Sequence, residues 1–275
     1  MVTWSELEPP LLFAHRGANR ERPENTLPAF ELALELGADV LELDVHATRD
    51  GVFVVSHDPT GERMCGVTRA IAEASWAEVA TWDAGVGFTD PGGAKRFAGA
   101  GIHPSRFEDV LDALPHAVLN VDVKDASQRE LELLLALIRA RSAEPRVLLT
   151  SFLGPVIDRI RGLRYSGPIG LCRRDVFRLV FTPSAVSRRW PLAGQRAQIP
   201  TNFGPFDLAA PRLLEKCRRL GLAVDYWVVN EQNEAAHLLA RGASGLISDD
   251  TRLMAQVFRT APETAAWRAR RAKPG

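Results

Sequence analysis

Ionisable side chains recur at the ends of short apolar segments whose pattern is typical of buried strands. Glu42 and Asp44 are two residues apart, as are Asp122 and Lys124, so each pair lies on one face of its strand. The complete set is His15, Arg16, Glu42, Asp44, His57, Asp122 and Lys124. Such a set is expected to converge if the strands end at a common edge.

Three converging carboxylates repel one another unless a cation lies among them. Oxygen ligands without cysteine favour a hard divalent ion, Mg²⁺ or Ca²⁺, over Zn²⁺. The two histidines are suited to both proton transfers, and Arg16 and Lys124 supply permanent positive charge for a phosphate. The combination predicts metal-assisted hydrolysis of a phosphoester, with Glu42, Asp44 and Asp122 on the metal.

Each of these groups also has a structural interpretation. A histidine after a strand can be a satisfied structural residue, and Glu42 and Asp44 can be ion-pair partners of Arg16 and Lys124. So many ionisable groups on inward strand ends are nevertheless costly without a function. Together they favour an active site.

Eight short apolar segments alternate with helical patterns along the chain. The predicted strands are Leu11–Ala14, Val40–Val45, Val118–Val123, Val147–Thr150, Ile169–Cys172, Ile199–Thr201, Val224–Val229 and Gly245–Ile247. The predicted helices are Pro28–Leu36, Phe107–Leu114, Arg129–Ala140, Pro155–Arg161, Val176–Ser187, Pro211–Leu220 and Glu234–Ala240.

This alternation over 275 residues favours an α/β fold, a (β/α)₈ barrel in a single domain spanning residues 1–275. An open doubly wound sheet is the alternative, and the lack of GxGxxG after the first strand weakens its dinucleotide-binding form. A barrel keeps its active site at the carboxyl ends of its strands, where the ionisable set lies.

A further strand-like run, Val52–Ser56, follows the second strand by only a few residues. A parallel crossover needs a dozen or more residues, so this connection is predicted to be a β-hairpin. Asp50-Gly51 is a two-residue turn signal. A turn at that point places His57 opposite Asp44.

Two segments fall outside the repeat. Pro59–Gly101 is rich in glycine, contains Trp76 and Trp82, and shows no clear strand–helix unit. We interpret it as an insertion over the barrel mouth, either substrate-shaping or without function. The basic stretch within residues 262–275 is interpreted as a frayed, solvated tail.

Composition limits the partners and the compartment. Acidic and basic residues balance at 34 each, which argues against a broad basic surface for nucleic acid. Cys65, Cys172 and Cys217 are far apart and indicate reduced thiols. Met1–Pro10 lacks the apolar stretch of a secretory signal, and no apolar run approaches the roughly 18 residues of a bilayer span. A cytoplasmic protein without stable membrane insertion is predicted; the oligomeric state is left open.

At the ionisable residues the chain resembles the glycerophosphodiester phosphodiesterase family. The strongest matches are His15-Arg16-Gly17-Ala18, Pro23–Glu31, Gly37–Val45, Thr48, Asp50-Gly51 and Val54–Asp58. Weaker ones are Ile102–Leu111, Asn120–Lys124, Thr150-Ser151-Phe152, Tyr226–Asn230 and Gly242–Asp250. The resemblance covers nearly the whole chain outside Pro59–Gly101 and the termini.

The resemblance implies a (β/α)₈ barrel, one divalent cation, and hydrolysis of small glycerophosphodiesters to an alcohol and glycerol 3-phosphate. By the same resemblance, Glu42, Asp44 and Asp122 hold the metal, and His15 and His57 form the acid–base pair. It further implies phosphate or substrate contacts and a supporting layer that orients His15 or a metal ligand. The contact residues are Arg16, Lys124 and Trp227, and the supporting residues are Glu24 and Asn25.

Two departures from the family pattern concern the metal and the substrate. The third carboxylate is commonly Glu in the family and is Asp122 here, one methylene shorter. The stretch after His57-Asp58 does not follow the usual pattern closely, which leaves substrate choice open.

Three alternatives stay in view. A lysophospholipase D-like enzyme would use the same residues and need an apolar groove, for which Trp76, Trp82, Phe88 and Phe97 are candidates. A barrel aldolase or isomerase would instead require a Schiff-base lysine or a glutamate base. A non-catalytic phosphate-binding module is disfavoured, because both histidines and all three carboxylates are present.

Overall fold

Most barrel strands lie where the apolar segments predict them. The computed structural model describes residues 2–183, 192 and 194–272. Its strands are β1 (Leu11–His15), β2 (Val40–Ala47), β3 (Phe53–Val55), β4 (Thr60–Gly61), β5 (Val67–Ala70), β6 (Val118–Val123), β7 (Val147–Thr150), β8 (Arg196–Ile199), β9 (Asn202–Phe203), β10 (Phe206–Asp207), β11 (Ala223–Tyr226) and β12 (Gly245–Ser248). Seven run parallel in one sheet, in the order β7–β6–β2–β1–β12–β11–β8.

The sheet closes into a ring between its two end strands. Ile169 forms a parallel bridge with Leu149 of β7, and Gly170 forms one with Arg196 of β8. This segment therefore occupies the fifth of eight positions around the ring. The predicted (β/α)₈ barrel is confirmed.

The fifth position is shorter than the sequence pattern indicated. Instead of a strand over Ile169–Cys172 there are isolated bridges, since Pro168 has no N–H to donate and Cys172 already caps the next helix. That helix, Arg173–Phe181, begins three residues before the predicted Val176–Ser187. The end of the predicted range, from residue 184, lies outside the described residues.

Helices follow the barrel strands on the outside of the ring. The longer ones are Leu27–Leu36, Phe107–Ala113, Gln128–Ala140, Gly154–Gly162, Arg173–Phe181, Pro211–Arg219, Gln232–Ala240, Thr251–Thr260 and Ala265–Ala272. The shorter ones are Glu62–Cys65 and Trp76–Val79, with 3₁₀ turns at Trp4–Glu6, Ile71–Glu73, Glu144–Arg146 and Pro262–Thr264. Gln128–Ala140 starts from a reciprocal cap, in which Ser127 accepts from Glu130 N and Glu130 accepts from Ser127 N. Over the described ranges, no helix combines the length and apolarity needed to cross a bilayer.

The hairpin after β2 is present, but its register differs from the prediction by one residue. The N–H of Ser56 donates to the carbonyl of Asp44 at 3.0 Å, so Ser56 rather than His57 lies opposite Asp44. The reason is a three-residue loop, Arg49–Gly51, in place of a two-residue turn. Gly51 adopts φ +83° there, the conformation that three-residue hairpins require of their last loop residue.

The Pro59–Gly101 insertion contains more regular structure than its sequence indicated. β4 and β5 pair antiparallel, with the short helix Glu62–Cys65 between them and the short helix Trp76–Val79 after them. Ile71, Val79 and Trp82 bury against Val54 of β3, which fixes the insertion against the β2–β3 hairpin. Its role in substrate binding stays a prediction.

The C-terminal stretch is an ordered helix over its described part, so its interpretation as a frayed tail is wrong. Trp267 is only 2% exposed, and burial of an indole strongly favours a fixed position. Arg270 and Arg271 form ion pairs with Asp39 at 3.1 and 3.0 Å. The helix Ala265–Ala272 therefore packs on the end of the barrel opposite the carboxyl ends of the strands.

Candidate active site

The first strand ends in a tight turn that directs charged groups into the barrel mouth. Arg16 and Gly17 both have positive φ, +60° and +81°. A Cβ on Gly17 would lie 2.8 Å from atoms of Ala29, so only glycine fits there. The conformation of Arg16 is costly for a residue with a side chain. It is offset by hydrogen bonds of 3.0 Å from the Arg16 N–H to the backbone and carboxylate of Glu42.

His15 is held by a carboxylate from the far end of the chain. Its Nδ1 lies 2.6 Å from Asp249, which also accepts hydrogen bonds from Asn19 and Asn230. Because Nδ1 is occupied, Nε2 is left for chemistry, and it lies 4.0 Å from Glu42. Burial would lower the pKa of His15, but the charges of Glu42 and Asp249 outweigh it and the pKa is raised. Burial likewise opposes ionisation of Asp249, yet the hydrogen bond from His15 keeps the pKa of Asp249 well below its usual range.

Three buried carboxylates lie beside His15. Glu42 and Asp44 share one face of β2, and Asp44 is directly paired with Asp122 on β6. Burial raises the pKa of Glu42 to about 8, and the charges of Asp44 and Asp122 act in the same direction. Burial also raises the pKa of Asp122. Burial and mutual repulsion thus oppose ionisation of all three carboxyl groups at once.

Lys124 and Arg16 provide the positive charge nearest to these carboxylates. The Nζ of Lys124 lies 2.6 Å from both Asp44 and Asp122, and the Nε of Arg16 lies 3.5 Å from Asp44. Burial opposes ionisation of Asp44, yet this positive charge lowers the pKa of Asp44. Burial likewise acts to lower the pKa of Lys124, but the two aspartates outweigh it and hold that pKa above its usual range. In this arrangement, the described residues include no group of three acidic, histidine or cysteine side chains placed to hold a metal ion.

Glu24 and Asn25 support the site in different ways. Asn25 donates to Asp44 at 3.1 Å, so it orients one predicted metal ligand. Glu24 instead accepts from Arg16 at 3.1 Å and from Arg63 of the insertion at 2.7 Å. Over the residues that the structure describes, neither side chain forms a hydrogen bond with His15. The carboxamide oxygen of Asn25 is buried and has no hydrogen-bond partner within the described part of the chain.

His57 reaches the site from the loop after β3. Its Nδ1 lies 2.7 Å from Asp58, which also accepts from Arg63 at 2.6 Å. His46 Nε2 lies 3.1 Å from the His57 carbonyl and fixes the loop from behind. Each of the two predicted acid–base histidines therefore has an aspartate on Nδ1. His57 is the more exposed of the two, with 37% of its side chain accessible against 16% for His15.

One cavity of about 230 Å³ at the barrel mouth brings the predicted residues together. His15, Arg16, Glu42, Asp44, His57, Asp122, Lys124 and Trp227 all line it. Trp227 belongs to the opposite wall from the charged cluster, where it meets Phe152 edge to face at a centroid distance of 5.7 Å. Asn25 lies behind the charged wall.

Several lining or supporting residues were not assigned a role from the sequence. Thr150, Ser151, Phe152 and Gln198 line the cavity, and Asp249 orients His15. Most of them fall in the weaker matches to the family at 150–152 and 242–250. There the sequence showed that the residues belong to a motif but gave no indication of their role. Gln198 carried no such signal.

Comparisons with known proteins show which family the chain belongs to. Residues 15–253 match the model of the Glycerophosphoryl diester phosphodiesterase family. A glycerophosphodiester phosphodiesterase from Caldanaerobacter subterraneus subsp. tengcongensis is 28% identical over 90% of this chain and 98% of its own length. Mouse lysophospholipase D GDPD3 is 26% identical over 86% of this chain and 78% of its own.

A solved structure supports the fold. The glycerophosphodiester phosphodiesterase of Agrobacterium tumefaciens str. C58 superposes with a TM-score of 0.72 and 24% identity, over 90% of this chain and 98% of that one. The family match spans the histidines, the carboxylates and the cations of the mouth, and it confirms the prediction of a phosphodiester-hydrolysing enzyme. The chain belongs to the glycerophosphoryl diester phosphodiesterase family.

Proposed function

We propose that the enzyme hydrolyses small glycerophosphodiesters to an alcohol and glycerol 3-phosphate by histidine acid–base catalysis with a divalent cation. The observation that carries the proposal is the pair of histidines, each with an aspartate on Nδ1, in one cavity with three buried carboxylates. The name of the Caldanaerobacter relative supports the same substrate class.

The donor set fits a hard cation. Glu42, Asp44 and Asp122 offer only oxygen atoms, and burial together with mutual repulsion leaves Glu42 with a pKa of about 8. We infer that these three residues hold Mg²⁺ or Ca²⁺, and that Lys124 then leaves the aspartates for the substrate. When bound, the cation supplies positive charge that neutralises the phosphate oxygens.

Arg16 and Lys124 are proposed to bind the phosphate. Both line the cavity, and both are permanently charged at neutral pH. Glu24 and Asn25 keep this arrangement in place, since Glu24 holds the guanidinium of Arg16 and Asn25 holds Asp44.

The histidines are proposed to move the protons through Nε2. One takes a proton from the attacking hydroxyl, whose oxygen bonds to phosphorus while the bond to the leaving oxygen breaks. The other gives a proton to that leaving oxygen, so the alcohol departs neutral. The attacking hydroxyl is water or the substrate's own glycerol hydroxyl. Trapping of a cyclic phosphate product separates these two routes.

Release of glycerol 3-phosphate from glycerophosphocholine and glycerophosphoethanolamine tests the proposal. We expect release with Mg²⁺ or Ca²⁺, loss of release with chelator, and loss of release in His15→Ala. Folded protein that releases nothing with either metal would contradict the proposed function. Equal rates of release with and without chelator would show that the reaction does not require the cation.

A location in the cytoplasm is part of the same proposal. Cys65, Cys172 and Cys217 are all free thiols, as expected in a reducing compartment. Fractionation of cells that express the chain checks this, and recovery of the protein from a secreted or membrane fraction would contradict it.

A further inference from the structure

A second cavity adjoins the active site on the side away from the carboxylates. It has a volume of about 310 Å³. We call it the apolar groove; its lining residues are Phe152, Leu171, Arg173, Val176, Phe177, Val180, Phe181, Gln198, Ile199, Pro200, Phe203, Leu208 and Trp227. Arg173 is the one charged residue among these described lining residues. The groove is therefore suited to hydrocarbon.

The groove and the catalytic cavity share a wall. Phe152, Leu171, Gln198 and Trp227 line both of them. Phe152 and Trp227 meet edge to face, so their rings form a ridge over which a substrate can pass from one cavity to the other. A molecule that fills both would have a phosphate at one end and an apolar chain at the other.

The aromatic side chains of the groove are unusually accessible. Phe177 is 59% exposed, Phe181 44% and Phe203 49%. Phe177 and Phe181 are adjacent on one helix with ring centroids 4.6 Å apart, and Phe206 extends the same patch. A contiguous apolar patch of this kind marks a binding surface in a soluble domain.

We propose that the apolar groove binds the single acyl chain of a lysophospholipid whose phosphodiester lies in the catalytic cavity. The inference rests on the proposed function, because it uses the same phosphate site and the same proton transfers. Water adds its oxygen to phosphorus, the bond from phosphorus to the head-group oxygen breaks, and that oxygen takes a proton. The products are the head-group alcohol and a monoacyl glycerol phosphate, whose chain stays in the groove.

The location differs from the one that the sequence indicated. Trp82 and Phe88 are only 7% and 5% exposed within the insertion. Trp76 lies under Arg106, and Phe97 packs on Phe88 and Arg22. None of these four lines the groove. Phe88 and Phe97 line a separate cavity whose other described lining residues are mostly charged, so Trp76, Trp82, Phe88 and Phe97 do not form one apolar groove.

The continuity with the catalytic cavity favours a substrate chain over a protein partner or a membrane surface. A surface-docking patch would gain nothing from a wall shared with the charged site, whereas a chain on the substrate requires it. Each methylene added to the substrate chain should raise kcat/KM by about fourfold until the groove is filled.

The test is a chain-length series, each member below its micelle-forming concentration. It comprises glycerophosphocholine and its butanoyl, hexanoyl, octanoyl and decanoyl esters, with head-group release measured. Rates for each enzyme are expressed relative to its own glycerophosphocholine rate. We expect kcat/KM to rise with chain length in the wild type and to stay flat in Phe177→Gln/Phe181→Gln. Phe203→Ser, on β9, is a second variant with the same expected effect.

Leu133→Gln is the matched control, since Leu133 is a 43% exposed apolar residue on a distant helix. It should keep the wild-type dependence on chain length. If kcat/KM of the wild type does not change with chain length while glycerophosphocholine is still hydrolysed, the proposed acyl-chain site is wrong and the proposed function is unaffected. A rise with chain length that both groove variants retain has the same consequence, because the gain would then come from surface binding elsewhere. Failure to hydrolyse any member overturns both.

Discussion

The two sides of the barrel mouth differ in chemistry. β1, β2 and β6 contribute His15, Arg16 and the buried carboxylates, which hold one another through short hydrogen bonds and ion pairs. The opposite side, from β7 round to β11, contributes Phe152, Trp227 and the apolar groove. On the charged side every group is constrained by its partners; on the apolar side the aromatic rings are accessible.

This difference separates two tasks. The charged side determines which bond can be broken, and its geometry tolerates little change because buried charges need their partners. The apolar side determines which substituent the phosphodiester carries, and apolar surface accepts many shapes. The following experiments test this division, in order of expected effect.

Loss of a histidine on the charged side should have the largest effect. We expect His15→Ala and His57→Ala each to lower kcat by roughly 10²- to 10⁴-fold, the usual contribution of a positioned acid or base. Steady-state kinetics on glycerophosphocholine measures this. His116→Ala, in the exposed turn before β6, is the control and should retain full activity. A His57→Ala enzyme of near-normal kcat would remove His57 from the acid–base pair.

Cation binding should stabilise the charged side measurably. At an Mg²⁺ concentration of about 100 times its dissociation constant, the free energy of unfolding should rise by about 2.7 kcal/mol. Denaturant unfolding with and without Mg²⁺ or Ca²⁺ measures the gain. Glu42→Gln should abolish it, whereas Glu35→Gln makes the same charge change on an exposed helix position and should preserve it. A gain that survives in Glu42→Gln would place the ion elsewhere.

Asp249 should act on the rate through His15. We expect Asp249→Asn to lower kcat by roughly 10- to 100-fold, as supporting partners of active-site groups do, with KM near the wild-type value. Asp250→Asn is the neighbouring control, because asparagine caps the following helix as well as aspartate does. A proportional loss of stability and rate in Asp249→Asn would indicate a structural role only.

The smallest effect is expected on the apolar side. Phe152 is 53% exposed and packs edge to face on Trp227, so Phe152→Ala should cost about 0.5–1.5 kcal/mol of unfolding free energy. Leu153→Ala, at the next and similarly exposed position, should cost less. Urea melts compare the two. A loss of several kcal/mol at Phe152 would show that this side is as constrained as the charged one.

The sequence was informative about the charged side because charge is costly to bury. Glu42, Asp44, Asp122 and Lys124 alternate with apolar residues, and that spacing determines both their strand and their face. The side chains lie together as expected, although their ligand and catalytic roles stay predictions. The hairpin register was one residue out, because the turn signal at Asp50-Gly51 suits two-residue and three-residue loops alike.

The apolar side could not be predicted in the same way. Phe177 and Phe181 are four residues apart on a helix, the spacing of a stripe that faces a core. Sequence alone cannot tell such a stripe from one that is left accessible beside a cavity. Asp249 was missed for a related reason, since its partner His15 is brought near only when the ring closes.

That last contact links the site to the order in which the chain is made. His15 and Asp249 are 234 residues apart. At about 5–20 residues per second, a ribosome produces Asp249 roughly 10 to 50 seconds after His15. During this interval the first histidine has no carboxylate to orient it and β1 has no β12 beside it, so an incomplete chain should be unable to attack cellular phosphodiesters. Recovery of activity during refolding should therefore report the docking of β12 onto β1, the final seam of the barrel.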